Sequence, residues 1–129
     1  KRVYPFFKSY KKEITKTPKV YFLDLGLRNF IINNFSKDET RSDMGALFEN
    51  FYLLQLLSGD PYRLQKLNFW RTTNQTEIDF IVTNGEALSA IETKYGTGSP
   101  PKSFKTIRAH YPAIGTQLVT KETVLAGAA

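Results

Sequence analysis

Three charged side chains in one short stretch of this chain could do chemistry together: Asp79, Glu92 and Lys94. They lie in two runs, Glu77-Ile78-Asp79-Phe80-Ile81-Val82 and Ala90-Ile91-Glu92-Thr93-Lys94-Tyr95, with Asn84-Gly85 between them. Asn-Gly between two strand-prone runs is a strong hairpin signal. With Asn84-Gly85 as a two-residue turn, Thr83 faces Glu86, Asp79 faces Ala90 and Glu77 faces Glu92. Directly opposed residues project from the same side of a sheet, so Asp79, Glu92 and Lys94 share one face, with Asp79 diagonal to Glu92. A four-residue turn keeps the same parity.

Two carboxylates on one face suit a hard divalent cation, Mg²⁺ or Mn²⁺, which takes one or two carboxylates and completes its shell with water and phosphate oxygens. The Thr93 carbonyl is a further oxygen donor beside them. Such an ion polarises a scissile phosphate or generates hydroxide from bound water. Lys94, one pleat from Glu92 at about 6.6 Å, can orient that water or stabilise developing negative charge. Glu49 is the fourth candidate. On a helix at 100° per residue, Ala46, Tyr52, Leu53 and Leu56 fall within about 60° of it, so it lies in an apolar sector. A buried carboxylate has to be paired, protonated or coordinating a cation. Glu49 could join the cluster through a metal-bound water.

The elements that would position these groups follow in order. Residues 19–23 read as a short strand, and Asp24 caps a helix that ends near Asn33-Asn34. Residues 44–57 form the longest apolar stretch and predict a buried helix, with Ser42 or Asp43 at its start and Ser58-Gly59-Asp60-Pro61 at its end. Leu67-Asn68-Phe69-Trp70 predicts a strand, 72–75 a polar turn, and the hairpin comes next. Ser99 and Pro100 or Pro101 open a helix to about His110, with Phe104, Ile107 and Tyr111 as its core stripe. Residues 116–119 make a last strand. A helix, three strands, a crossover helix and a fourth strand predict an α/β fold with a mixed central sheet flanked by helices. The expected division is a basic connector at 1–19, a folded domain at 20–122 and a frayed tail at 123–129.

Composition sets the outer bounds. The chain has 129 residues, the size of one domain, and 41% of them are hydrophobic, enough for a packed core. It has no cysteine, which excludes disulfides and thiolate metal sites. No apolar run approaches a membrane span, no secretory leader is visible, and a cytoplasmic location without membrane contact is the expectation. The chain begins at Lys1 without methionine, as a piece of something longer would. No Gly-rich phosphate loop occurs. Residues 1–19 hold seven basic side chains against Glu13 alone, which accounts for the whole net charge of +6. That arm, with Tyr4, Phe6, Phe7 and Tyr10 interleaved, could contact phosphates and stack on bases, although a solvated connector is the plainer reading.

With those elements in place, the order of Glu49, Asp79 and Glu92-Thr93-Lys94 resembles the PD-(D/E)xK nuclease superfamily, the restriction-endonuclease-like fold. Five segments taken together resemble more narrowly the C-terminal domain of unknown function found on prokaryotic AAA-type ATPases. They are Lys19 through Asn29, Gly45 through Asn50, Phe69-Trp70-Arg71, Glu77-Ile78-Asp79-Phe80 and Ile91-Glu92-Thr93-Lys94. The resemblance covers residues from about 19 to 120. It implies a nuclease-type core of order α-β-β-β-α-β, with Asp79, Glu92 and Glu49 at the metal, Lys94 as catalytic lysine and an ATPase module upstream as partner. It implies nucleic acid, taken as DNA, as the substrate of a Mg²⁺- or Mn²⁺-dependent hydrolysis. The loop before Glu77 departs from the superfamily pattern, lacking its proline and acidic signature.

Plainer readings stand beside these. Asp79, Glu92 and Lys94 could be a salt bridge on a solvated face, and Glu49 a helix-surface residue. Arg71 and Glu77 read as rim charges, Trp70 as core, and Tyr95 equally as core or cleft. His110, near a helix C-terminus, is not a credible catalyst. A second function, from a different class, is a non-cleaving nucleic-acid- or protein-binding module that regulates an ATPase, its acids kept as a buried polar network. The balanced charge of residues 20–129 suits that reading.

Overall fold

Gly85 starts a tight turn that sets the register of the whole sheet. Its φ of +59° is the positive value that glycine tolerates, and no other residue of the turn has one, the pattern of a type II′ hairpin. Asn84 therefore pairs with Ala87, and Gly85-Glu86 is the loop. The expected turn at Asn84-Gly85 is thus corrected by one position. Parity is unchanged, but every pair slides by two: Ile81 faces Ala90 and Phe80 faces Ile91. The ladder ends at Phe80–Ile91, so Glu77 does not face Glu92.

The computed structural model describes residues 1–7, 16–37 and 40–127. The six strands among them are β1 (Arg2–Pro5), β2 (Lys19–Val20), β3 (Lys66–Arg71), β4 (Glu77–Asn84), β5 (Ala87–Lys94) and β6 (Gly115–Thr120), in spatial order β2-β1-β3-β4-β5-β6. Pairing is antiparallel within β3-β4-β5, and parallel for β1 with β3 and β5 with β6. The helices among the described residues are α1 (Leu25–Ile31), α2 (Met44–Gly59), α3 (Lys102–His110) and α4 (Lys121–Gly127). From α2 to β6 the elements run helix, three strands, helix, strand, an α/β fold with a mixed sheet.

Helices cover both faces. On one, Phe48, Leu53 and Leu57 of α2 pack on Phe69, Phe80 and Ile91. On the other, Phe104 and Ile107 of α3 pack on Ile78, Ile81 and Ala90. Leu53, Phe80, Ile81 and Ile107 are fully buried, and each contributes about 1.5–3 kcal/mol by leaving water. The apolar runs of β4 and β5 are explained by this double cover.

Alternation breaks once. Asn68 pairs with Ile81, but Trp70 pairs with Ile78, so two steps on β3 face three on β4. The extra residue lies at Asp79-Phe80, a β-bulge that turns Ile78 and Ile81 to the same core.

The ends of the chain differ from the expectation. β1 lies inside the sheet, with Val3 only 1% exposed, so the first residues belong to the folded body and are not a free connector. The middle of the basic arm, including Tyr10, lies outside the described residues. At the other end Thr123 donates from its backbone N–H to Thr120 Oγ1 (3.3 Å) and from its hydroxyl to the Thr120 carbonyl (2.9 Å). These bonds start α4 where a frayed tail was expected, and Val124 packs on the α2-side core. The strand expected over 19–23 stops at Val20. The Asn50 side chain takes both backbone groups of Phe22, accepting from its N–H (2.9 Å) and donating to its carbonyl (2.7 Å), which draws the chain out of the sheet. Asp24 then caps α1 through the Leu27 N–H at 2.9 Å, as expected.

Candidate functional site

The bulge places Asp79 where β4 begins, and its backbone N–H donates to Glu92 Oε2 on β5 at 3.2 Å. Its own carboxylate goes to Thr93, with Oδ2 accepting from the backbone N–H and the hydroxyl, both at 2.8 Å. Thr93 alternates with Glu92, so its side chain stands on the opposite face. Glu92 Oε1 accepts from the Ser103 hydroxyl of α3 at 3.1 Å, and the Glu92 and Asp79 carboxylates lie close enough to interact directly.

Glu92 is consequently under electrostatic pressure. Burial, and then the negative charge of Asp79, push its carboxyl up to about 7. Glu49, on α2, is pushed up by the same two causes, burial first and Asp79 second. Lys19 and Tyr21 act against that shift: Glu49 Oε1 accepts from Lys19 Nζ at 3.1 Å and from the Tyr21 hydroxyl. Burial and the neighbouring Glu49 raise the Tyr21 phenol well above its ordinary value. Glu49 thus lies near the cluster, its side chain 21% exposed, but it is spoken for by two donors.

Lys19 also pairs with Glu77, whose other oxygen accepts from Arg71 Nε at 2.5 Å. Burial would raise the Glu77 carboxyl, yet Lys19 and Arg71 more than offset it and hold it low. Burial would likewise lower the Lys19 ammonium, and Glu77 and Glu49 more than offset that. Arg71 and Glu77, read from sequence as rim charges, are therefore joined to the site through Lys19.

Lys94 follows Glu92 two residues along β5. It forms no ion pair among the described residues, and its Cδ and Nζ reach back over Gly98, each 2.7 Å from where a β-carbon there would stand. With Glu92 it lines a hollow of about 320 Å³ against Pro100, Lys102 and Leu118. On the α2 side a second hollow, about 380 Å³, is lined by Lys19, Tyr21, Arg28, Ile32 and Glu49. The acidic cluster is thus flanked by two openings. A larger hollow, about 450 Å³, lies at the far end of β3. There Arg63 donates to the carbonyls of Leu57 and Asp60, and Asp60 accepts from the N–H groups of Leu64 and Gln65, so its charges serve to close α2.

Among the described residues, no three acid or histidine side chains come together to hold a metal ion between them. What the donors do offer is a charge deficit. Lys19 and Arg71 pair with Glu49 and Glu77, and no cation among the described residues pairs with Asp79 or Glu92, so with all four ionised the formal charge is −2, which one divalent ion would neutralise. Asp79 and Glu92 are the pair that suits such an ion. They are oxygen donors and they repel each other.

Residues 44–128 match the profile of a family described as a domain of unknown function. The chain belongs to the DUF4143 family. The DUF4143 match contains Glu49, Glu77, Asp79, Glu92 and Lys94, while Lys19 and Tyr21 precede it. No curated protein and no solved structure matches the chain. Among the described residues no helix is long and apolar enough to cross a membrane.

Sequence reasoning named Asp79, Glu92 and Glu49 but missed Lys19 and Tyr21 as members of the cluster. The available signal was their spacing in Lys19-Val20-Tyr21: alternate residues of an extended segment share a face.

Proposed function

We propose that this domain is a divalent-metal-dependent, nuclease-like module that binds nucleic acid and hydrolyses its phosphodiesters. The carrying observation is the Asp79–Glu92 pair. Two carboxylates are held together by the backbone, one is pushed up to about 7, and Lys94, which forms no ion pair among the described residues, stands two residues from Glu92 on β5. Half-buried acids in mutual repulsion are poorly explained by stability alone. Asp79 and Glu92 would hold Mg²⁺ or Mn²⁺, which would supply Lewis acidity toward a phosphate oxygen. Lys94, without a carboxylate partner among the described residues, would bind the phosphate and stabilise the charge that develops on it. Glu49 would act through the electrostatics of the cluster or a bound water. In this reading the fold is of the restriction-endonuclease-like class, the substrate is DNA, and an ATPase module of the same protein is the partner.

The test is cleavage of single- and double-stranded DNA with Mg²⁺ or Mn²⁺, comparing the wild type with Asp79→Ala and Lys94→Ala. Metal-dependent cleavage that both variants lose is the expected outcome. Variants that cut as well as the wild type would sink the assignment.

A second reading is a non-cleaving module that binds another protein. The observation favouring it is α1, which leaves Leu27 53%, Phe30 71% and Ile31 59% exposed along one stripe. It expects no turnover with any metal, and loss of stability when Asp79 or Glu92 is removed.

A further inference from the structure

Among the described residues, Lys19 forms ion pairs with two of the four acids at once. Its Nζ donates to Glu49 Oε1 at 3.1 Å and pairs with Glu77, above the Phe69 ring with its centroid 5.4 Å away. Its side chain is 20% exposed, so this is not a solvated surface pair. The remaining donors complete the separation of the acids. Tyr21 takes Glu49 and Arg71 takes Glu77, whereas among the described residues Asp79 and Glu92 receive no cation, only Thr93, Ser103 and a backbone N–H. The four carboxylates are thereby sorted into two that hold an internal ammonium and two that hold none.

We propose that Lys19 is the positioning residue of this acidic site: an internal ammonium that claims Glu49 and Glu77, keeps a divalent ion off them, and confines cation binding to Asp79 and Glu92. The inference rests on the reading of Asp79 and Glu92 as a metal pair, and it adds what limits that pair. The ammonium repels an incoming divalent ion and occupies Glu49, the acid that otherwise lies nearest to Asp79's field. Removing the ammonium leaves the cluster one charge more negative and frees Glu49. An ordinary ion pair gives the opposite sign: its loss loosens the site and weakens every ligand bound there.

The sign of one affinity decides between the two. Mn²⁺ binding to the full chain is titrated by the electron paramagnetic resonance of the free ion, in the wild type, Lys19→Arg, Lys19→Gln and Lys19→Met. Lys19→Gln keeps a hydrogen-bond donor, so it serves if Lys19→Met does not fold. Lys19→Gln and Lys19→Met are expected to bind Mn²⁺ at least tenfold more tightly, or to take a second ion, while Lys19→Arg behaves as the wild type. The gain is expected to vanish when Glu49→Gln is added to Lys19→Gln. Binding in Lys19→Gln but not in the wild type overturns the proposal, since the native Asp79–Glu92 pair then holds no ion to be confined. A wild type that binds Mn²⁺, with a folded Lys19→Gln that binds it equally or less well, overturns this proposal alone. Silence from the wild type and all variants overturns it together with the metal reading.

Discussion

Asp79 holds Glu92 by its backbone, through an N–H···Oε2 bond of 3.2 Å, while their two carboxylates repel each other. Geometry and electrostatics therefore pull in opposite directions at one pair, and stability should record it. A Glu92 carboxyl that titrates at about 7 when folded and near 4.5 when unfolded keeps a proton that the unfolded chain has lost. Folding then binds more protons between those values, so stability falls as pH rises through the window from about 4.5 to 7. Allowing for the partial exposure of Glu92, the fall is of order 1–2 kcal/mol. Glu49, also raised, adds in the same direction, whereas Glu77 is lowered and acts below that window. Urea denaturation at intervals from pH 4.5 to 8 measures it. Asp79→Asn removes one of the two causes and should make the slope shallower without abolishing it.

A divalent ion should reverse that slope. At pH 8, Mn²⁺ or Mg²⁺ at about a hundred times its Kd is expected to stabilise the wild type by about 2.7 kcal/mol, seen as a rise in Tm. Glu92→Gln should lose most of this rise. A Tm indifferent to both ions at pH 8 would count against Asp79 and Glu92 as a metal pair.

Lys94 separates chemistry from folding. Since it forms no ion pair among the described residues, Lys94→Met should change stability by no more than about 0.5 kcal/mol. DNA cleavage should nevertheless drop by about a hundredfold or more, as for removal of a group that stabilises transition-state charge. Gly98→Ala offers a subtler probe. The new β-carbon would lie 2.7 Å from Lys94 Cδ and Nζ, so the flexible end of Lys94 must move. Cleavage should change while the melting curve stays close to that of the wild type.

Asn50 should matter for stability more than its neutral side chain suggests. It is 3% exposed and satisfies both the N–H and the carbonyl of Phe22. Asn50→Ala orphans both groups and should cost about 2 kcal/mol in urea denaturation. Amide exchange at Phe22 should rise in step, since this bond is the tether that leads from β2 to α1.

How far the residues alone led can be judged at particular positions. The Asn-Gly signal located the hairpin, and period-two alternation placed Phe80 and Ile81 on opposite faces. The exact loop was not accessible, because Asn84-Gly85 and Gly85-Glu86 both supply a glycine with positive φ and differ only in where it sits. The bulge at Asp79-Phe80 has no local marker. It coincides with the end of the β4–β5 ladder at Phe80–Ile91, which period-two alternation does not foresee. Glu49 was found from its apolar sector on the helical wheel, which is a property of the sequence. Lys19 was not, because a lysine in a basic stretch reads as solvated until tertiary contacts bring Glu49 and Glu77 to it.

β1 carries one more consequence. It is the strand through which β2 joins the sheet, and it lies parallel to β3, with Tyr4 beside Asn68 across more than sixty residues of chain. The hairpin strands β3, β4 and β5 can zip locally, but β1 must close a long loop, the slower kind of event. Until it docks, β3 is an open edge and Glu77 has no Lys19. Sealing that edge against intermolecular pairing and delivering the ammonium to the acids are therefore tied to the same docking event.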